Sequence, residues 1–560
     1  MKKHLLLIII SFGVFACTTK KADMIIYNGN IYTVNDLSPL VNAVAVRDGK
    51  ILDLGDWQKL KKYKSDRTNL IDLKGKTMTP GLIEGHGHFT GLGESKLNLD
   101  LSSIKSYDEL INVVENAIKN APEGKWIIGR GWHQDKWTLK PKKIVRGFQT
   151  HDRLSEISKN NPVWLRHASG HASFGNQKAM EIAGISKETE FGFGGEIIKD
   201  LSGNPTGIFN ERAQYLVSQY IDNNNDSTEV IKLAVEECLK NGITSFHDAG
   251  TTGESLKMIE SAIKNNELKV RIYSMLTSRD ESLLEEWYQK GPAIGLADDY
   301  LTVRSIKLNA DGALGSRGAW LLGEYTDRPG HYGMATQPME YVYDVSKKGI
   351  QNGFQVNTHA IGDRTNREVL DQYEKVFQEY IDLSLDHRWR IEHAQHIDPI
   401  DIPRFGKLGV IASIQGIHMS SDRPWAIERL GEKRITEGAY AWRDLINTGA
   451  VLVNGSDVPV EPINPIACFY ASISRKTLSG NPSNGYEPKQ KMTRMEALKS
   501  YTINAAFGAF EEDIKGTVEI GKYADFTVFS QNIMTIPENE ILKTKVTHTI
   551  VNGKVEYKLN

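Results

Sequence analysis

The residues with the clearest chemical potential are the tetrapeptide Gly85-His86-Gly87-His88. In an extended strand, side chains at i and i+2 project from one face, so the two imidazoles would stand side by side. Glycine next to them lets an ion or ligand come close to the backbone. Imidazole and carboxylate are ligands for zinc and similar divalent ions. A lone His-x-His is a weak signal, but other apolar runs end in His359, His393 and Asp457. A further run ends in Lys307, whose ammonium would repel a cation. Two readings stay open for that lysine. It pairs with a carboxylate such as Asp311, or burial and cationic neighbours strip its proton. In the second case CO2 carboxylates it into a bridging oxygen ligand. Two ions about 3.5–4 Å apart would then hold and acidify a water.

For these groups to meet, their strands must share one end of one sheet. Eight β-like runs, at 81–86, 243–248, 269–273, 303–307, 354–359, 389–393, 410–414 and 451–457, alternate with helical stretches. Alternation of that kind predicts βαβ units and a parallel sheet, and eight of them predict a (β/α)8 TIM barrel of α/β class. Residues at the strand ends then converge on the barrel mouth. The interval after the first strand is too long for one helix, so an insertion is expected at about 97–235. Its Trp126, Trp132, Trp137 and Trp164 suggest an ordered cap. Short β-rich runs at both ends of the chain are broken by Asn28-Gly29, Asp48-Gly49 and Asn552-Gly553, which are hairpin signals. Neither end has enough strands to bury a face alone. They predict one small β-sandwich from residues 23–80 and 517–560, with the barrel, 81–516, inserted between.

The chain has 560 residues, 25% of them charged and 40% hydrophobic, with a net charge of −2. Those values fit an ordinary globular chain and give no basic footprint for nucleic acid. At the amino terminus, Met-Lys-Lys-His precedes an apolar run of about a dozen residues, too short for a bilayer span and fitting a secretory signal. With Val14-Phe15-Ala16-Cys17 it resembles a bacterial lipoprotein signal: a signal peptide over 1–16, a lipid on Cys17 and a tether over 17–22. The expected location is the cell envelope, anchored by lipid alone to a membrane (the outer one, on its periplasmic or surface side). Cys238 and Cys468 read as small buried hydrophobes, since two cysteines so far apart make no disulfide framework.

The order His-x-His, Lys, His, His, Asp on successive strands resembles the amidohydrolase superfamily in its binuclear, carboxylated-lysine form. Thr79-Pro80-Gly81-Leu82-Ile83-Glu84-Gly85-His86, Lys307-Leu308-Asn309-Ala310-Asp311-Gly312 and Asn357-Thr358-His359 are similar to its amidohydrolase-3 branch, which includes N-substituted formamide deformylases. So are Arg390-Ile391-Glu392-His393-Ala394-Gln395 and Arg166-His167-Ala168-Ser169-Gly170-His171.

The resemblance implies that His86, His88 and Asp457 hold one divalent ion, His359 and His393 a second, and carboxylated Lys307 bridges them. It implies a hydrolase that cleaves a non-peptide amide C–N bond of a small molecule through a metal-bridging hydroxide, with Asp457 as acid/base. His171 and Arg317 are the candidate substrate-binding residues, each with a structural alternative: a satisfied histidine and a loop brace. Glu211 is equally ambiguous. His247 and Asp248 read as support for the ligands, while His133, His151, His331, His396 and His418 read as ordinary polar residues. Trp137, Trp320 and Trp425 either line a pocket or belong to the core. The alternatives are a mononuclear, deacetylase-like hydrolase with Lys307 free and a non-catalytic binding lipoprotein; homo-oligomers are compatible with either.

Overall fold

The computed structural model describes residues 20–221 and 225–559. The apolar amino-terminal run and Cys17 lie outside them. Among the described residues no helix is long and apolar enough to cross a membrane.

The barrel strands are β1 (Leu82–Gly87), β2 (Ile243–Thr251), β3 (Arg271–Thr277), β4 (Leu301–Asn309), β5 (Gln355–Ala360), β6 (Arg390–His393), β7 (Ile411–Ile414) and β8 (Leu452–Asn454). They pair in chain order, all in parallel. Helices on the outside and side chains on the inside cover both faces, so the strands are buried along nearly their whole length rather than alternately. The ring closes between β8 and β1 by two bonds beyond the ladder. Asp457 N donates to His86 O and His88 N donates to Val458 O, both at 2.8 Å. Closure therefore runs through the candidate ligands themselves.

The chain ends meet in one continuous sheet of eight strands, the form taken by the expected sandwich. Thr77–Pro80 pairs antiparallel with Phe526–Phe529, which joins the two ends. Alternation sorts the side chains: Ile26, Val44, Phe526 and Val528 enter one core, while Ile25, Ala43 and Ala45 face the short helix Trp57–Leu60. Asp48-Gly49 and Asn552-Gly553 form tight hairpins with positive φ at both residues.

Asn28-Gly29 does not make the expected hairpin. It is a bulge inside the single strand Met24–Tyr32, where that strand changes partner from Asn69–Asp72 to Thr77–Pro80. Asn28 takes φ +59°, and a Cβ on Gly29 would meet Leu73 Cδ1 at 2.3 Å. Local turn chemistry is satisfied here, but tertiary pairing puts it to a different use.

Between β1 and β2 the chain builds a separate sheet of six strands, in the order Gly195–Lys199, Pro205–Glu211, Ala172–Gly175, Val163–His167, Ile127–Trp132, Leu99–Asp100. Trp132, Leu165, Phe174 and Ile208 pack beneath it with the helix Tyr107–Lys119, giving this layer its own core. Cys238 and Cys468 are buried free thiols.

Candidate metal centre

His86 and His88 end β1 on one side of the strand, and the Asp457 carboxylate faces both. Asp457 Oδ1 lies 3.1 Å from His88 Nε2 and 3.6 Å from His86 Nε2. His393 stacks into the same space, its ring centroid 4.9 Å from that of His86 and 4.4 Å from that of His359. Two overlapping groups can each hold a cation: His86, His88 and Asp457, and His393, His418 and Asp457. His393 (φ +77°) and Asp457 (φ +58°) both occupy the left-handed region. For residues with side chains that conformation costs on the order of 1–3 kcal/mol and marks sites held by their surroundings.

Partners behind the ligands fix which nitrogen points inward. Glu392 holds His86 Nδ1, leaving Nε2 for the centre; Gln415 Oε1 lies 2.7 Å from His393 Nδ1. Such outer bonds set tautomer and orientation. Glu392 itself is fully buried. Burial pushes its carboxyl up, but Arg390 and His86 outweigh that and keep it well below the usual carboxylate range. Arg390 also reaches Gly85 O at 2.6 Å, Ser413 Oγ at 2.8 Å and His247 Nδ1 at 3.1 Å. His247 is thus turned to an arginine; burial and that guanidinium keep it neutral. Asp248 accepts from Phe89 N at 2.8 Å and so pins the start of the helix that follows His88. Glu84, pushed up to about 8 by burial, accepts from Ser456 N and braces the turn that carries Asp457.

Lys307 lies two residues before the end of β4 and is buried, and its charge is felt by His86, His359 and His393. Burial pulls its ammonium down to about 8. The pairing with Asp311 does not form. Asp311 accepts instead from Ile361 N, Gly362 N, Trp320 N and Thr365 Oγ1, at 2.7–3.0 Å. Its Oδ1 also sits 3.3 Å from His359 Nε2, a buried atom left without a hydrogen-bond partner.

The cavity above these groups is lined from the barrel by His359, His393, Gln395, His418, Trp425 and Asp457. From the inserted layer come His133, Lys136, Ser169 and His171. His171 is held at Nδ1 by Glu211 Oε2, 2.7 Å away, and its ring lies 5.0 Å from that of His359. Arg317 is not brought to the cavity. Its guanidinium is taken by Asp327 at 2.7 Å, ten residues on, so the residue braces its loop. His418 and His133, read from sequence as ordinary polar residues, do line the cavity, and His418 Nε2 lies 4.0 Å from Asp457 Oδ2. A signal for His418 was present: it follows the seventh strand, where the barrel expectation places active-site groups.

The donor set fits divalent ions. Among the buried polar atoms left without a hydrogen-bond partner are His86 Nε2, His418 Nε2 and Asp457 Oδ1. Buried polar atoms are seldom orphaned in this way unless something else satisfies them.

Comparison with known proteins gives the same direction. Residues 69–557 match the model of an amidohydrolase family, Amidohydro_3. "Protein LONG AFTER FAR-RED 3" of Arabidopsis thaliana is 32% identical over 96% of this chain and 92% of its own length. N-substituted formamide deformylase of Arthrobacter pascens is 25% identical, covering 96% and 99%. The crystal structure of an uncharacterized metal-dependent hydrolase from Pyrococcus horikoshii superposes with a TM-score of 0.72 at 27% identity, covering 92% of this chain and 99% of that one.

Proposed function

This chain belongs to the amidohydrolase family, and from that premise we propose that it is a metal-dependent hydrolase of non-peptide, amide-type C–N bonds in small molecules. The observation that carries the reading is the set of unpartnered buried atoms, His86 Nε2, His418 Nε2 and Asp457 Oδ1, at the strand-end face of the barrel. His86, His88 and Asp457 would hold one ion; His359, His393 and a carboxylated Lys307 would hold a second, with zinc the chemically suited metal. When bound, such ions lower the pKa of water and polarise a carbonyl oxygen.

The protein's own part is to place and move protons. Asp457, kept ionised by His88, His86 and His393 despite its burial, takes the proton of the attacking water and returns it to the departing nitrogen. His171, oriented by Glu211, faces the cavity and binds the carbonyl or the leaving group. Because a relative is named as a deformylase of N-substituted formamides, N-formyl compounds head the candidate substrates, followed by N-acyl and cyclic amides. The amino-terminal pattern supports a lipid anchor at Cys17 and a cell-envelope location.

A screen of these amides with metal-replete enzyme tests the activity. Asp457→Asn should lower turnover by about 10²–10⁴-fold with fold and most of the metal retained; near-wild-type turnover excludes the acid/base role. Metal analysis should give two equivalents per chain, whereas one would favour a mononuclear site and none a non-catalytic protein.

A further inference from the structure

The cavity beside the metal centre is lined by charged groups that hold no metal: Lys136, Asp422 and Glu461. Lys136 comes from the short turn Gln134–Lys136 of the inserted layer. Asp422 lies on the helix Gly416–Glu437 after β7, and Glu461 on the loop that follows Asp457. On that helix His418, Asp422 and Trp425 fall at i, i+4 and i+7, the spacing that brings side chains to one face. All three line the cavity. His418 stands beside the ligands, its Nε2 4.0 Å from Asp457 Oδ2, and Asp422 follows one helical turn, about 5.4 Å, further along.

The three charges do not balance. Lys136 Nζ donates to Glu461 Oε1 at 3.2 Å. Burial opposes both charges, but Glu461 and Asp422 hold the ammonium above its ordinary value, and Lys136 and His418 hold the Glu461 carboxyl below its own. That leaves Asp422 over. It accepts from Ser421 Oγ at 3.1 Å, and among the described residues no basic side chain lies within ion-pair distance of it. Arg423 and Arg429, further along the helix, are taken by Glu487 and by Asp135 with Asp327.

The same helix face holds a second unmet group. Trp425 is 7% exposed, and its Nε1 has no hydrogen-bond partner, a condition rare for buried polar atoms unless a bound partner supplies the acceptor. Its ring lies 5.1 Å from that of His133, which lines the cavity from the inserted layer. An amide that carries a cation offers what both lack: a carbonyl to accept from the indole and an ammonium for the carboxylate. Hydrogen bonds between ionised partners are the stronger kind. An anion here would have to displace Glu461 from Lys136 and would then stand against Asp422. Lys136 is 33% exposed and Glu461 15%, so the three groups can be reached from solvent.

We propose that Asp422, beside the Lys136–Glu461 pair and Trp425, seats a cationic group of the substrate, which makes amides bearing a primary ammonium a few bonds from the scissile carbonyl the preferred class. The proposal rests on the hydrolase reading for the reaction itself, but binding can be measured without turnover.

Calorimetric titration of the metal-loaded enzyme provides the test. The probes are N-acetylputrescine, N-pentylacetamide, in which a methyl replaces the ammonium, and the analogue in which a carboxylate does. The ammonium compound should bind at least about tenfold more tightly than the methyl one, the worth of one charge-assisted bond, and the carboxylate should bind most weakly. Asp422→Asn should abolish the preference for the ammonium. Lys136→Met removes the competing cation and should raise that preference, a gain that mere damage to the fold would not produce. Equal binding of the ammonium and methyl compounds, tighter binding of the carboxylate, or absent binding of all three overturns the subsite. So does a preference that survives Asp422→Asn or falls in Lys136→Met. Should neutral amides be cleaved with no ammonium preference, the subsite falls and the hydrolase stands. Ammonium-selective binding with no cleavage of any amide would instead keep the subsite and remove the hydrolase.

Discussion

Lys307 illustrates how burial can change what a side chain is for. An ammonium with a pKa of 10.5 is almost wholly protonated at neutral pH, whereas one pulled to about 8 carries an appreciable fraction of free amine. Only the free amine reacts with CO2. Reconstitution of metal-free protein should accordingly quicken as pH rises towards about 8, level off above it, and be accelerated by bicarbonate; a rate indifferent to both would argue against carboxylation. Lys307→Ala should be inactive and regain part of its activity with formate, acetate or propionate, while full activity without them would remove the bridging role. The six candidate ligands stand out in the sequence because their types are unusual at strand ends. His418 carried only the positional signal of following the seventh strand, since a single histidine opening a helix resembles many that merely satisfy a turn. Glu392 lay inside a quoted motif with no role attached: its meaning depends on His86, Arg390 and burial, none of which neighbouring sequence reveals. For Arg317 the sequence left two roles open, a substrate partner and a loop brace. A guanidinium near a catalytic loop suggested a substrate partner, but Asp327 was close enough in space to claim it.

At the scale of elements, the loop after β4 and the inserted layer meet through Glu211. Its carboxylate lies against Gly312 and Gly318, where an added Cβ would stand 2.0 and 2.1 Å from Oε1. Those glycines leave the room in which Glu211 orients His171. Gly318→Ala should push the carboxylate away and reproduce the kinetic defect of Glu211→Gln, with a stability loss of about 1–3 kcal/mol for overpacking. Matched kcat/KM and thermal-melt measurements check this, and unchanged kcat/KM would show that Glu211 does not act through His171. The barrel strands were readable because burial on both faces makes them continuous apolar runs. The six-stranded layer was not: its strands pair out of chain order and several span only a few residues, so periodicity had little to act on. Asn28-Gly29 misled for a related reason, as a bulge and a hairpin turn ask for the same backbone freedom.

For the molecule as a whole, the terminal sheet and the barrel are tied by the buried pair Arg271–Asp525, with Nε 2.8 Å from Oδ2. Tyr523 and Tyr300 lie against the guanidinium at 3.8 and 4.8 Å, and Asp525 Oδ1 also accepts from Asn552 N at 2.7 Å. Asp525→Ala would strand a buried cation, at a cost of about 3–5 kcal/mol. A clearly lowered Tm is expected with metal content per folded chain unchanged, and an unaltered Tm would show that the contact contributes nothing to cohesion. The sheet sets a timetable as well. Thr77–Pro80 finds its antiparallel neighbour in Phe526–Phe529, more than four hundred residues later. A polypeptide emerging from the ribosome in order must keep that edge waiting until its last few dozen residues are free. Pairing between strands so far apart in sequence is expected to form late, and a chain lacking Phe526–Phe529 should be prone to self-association.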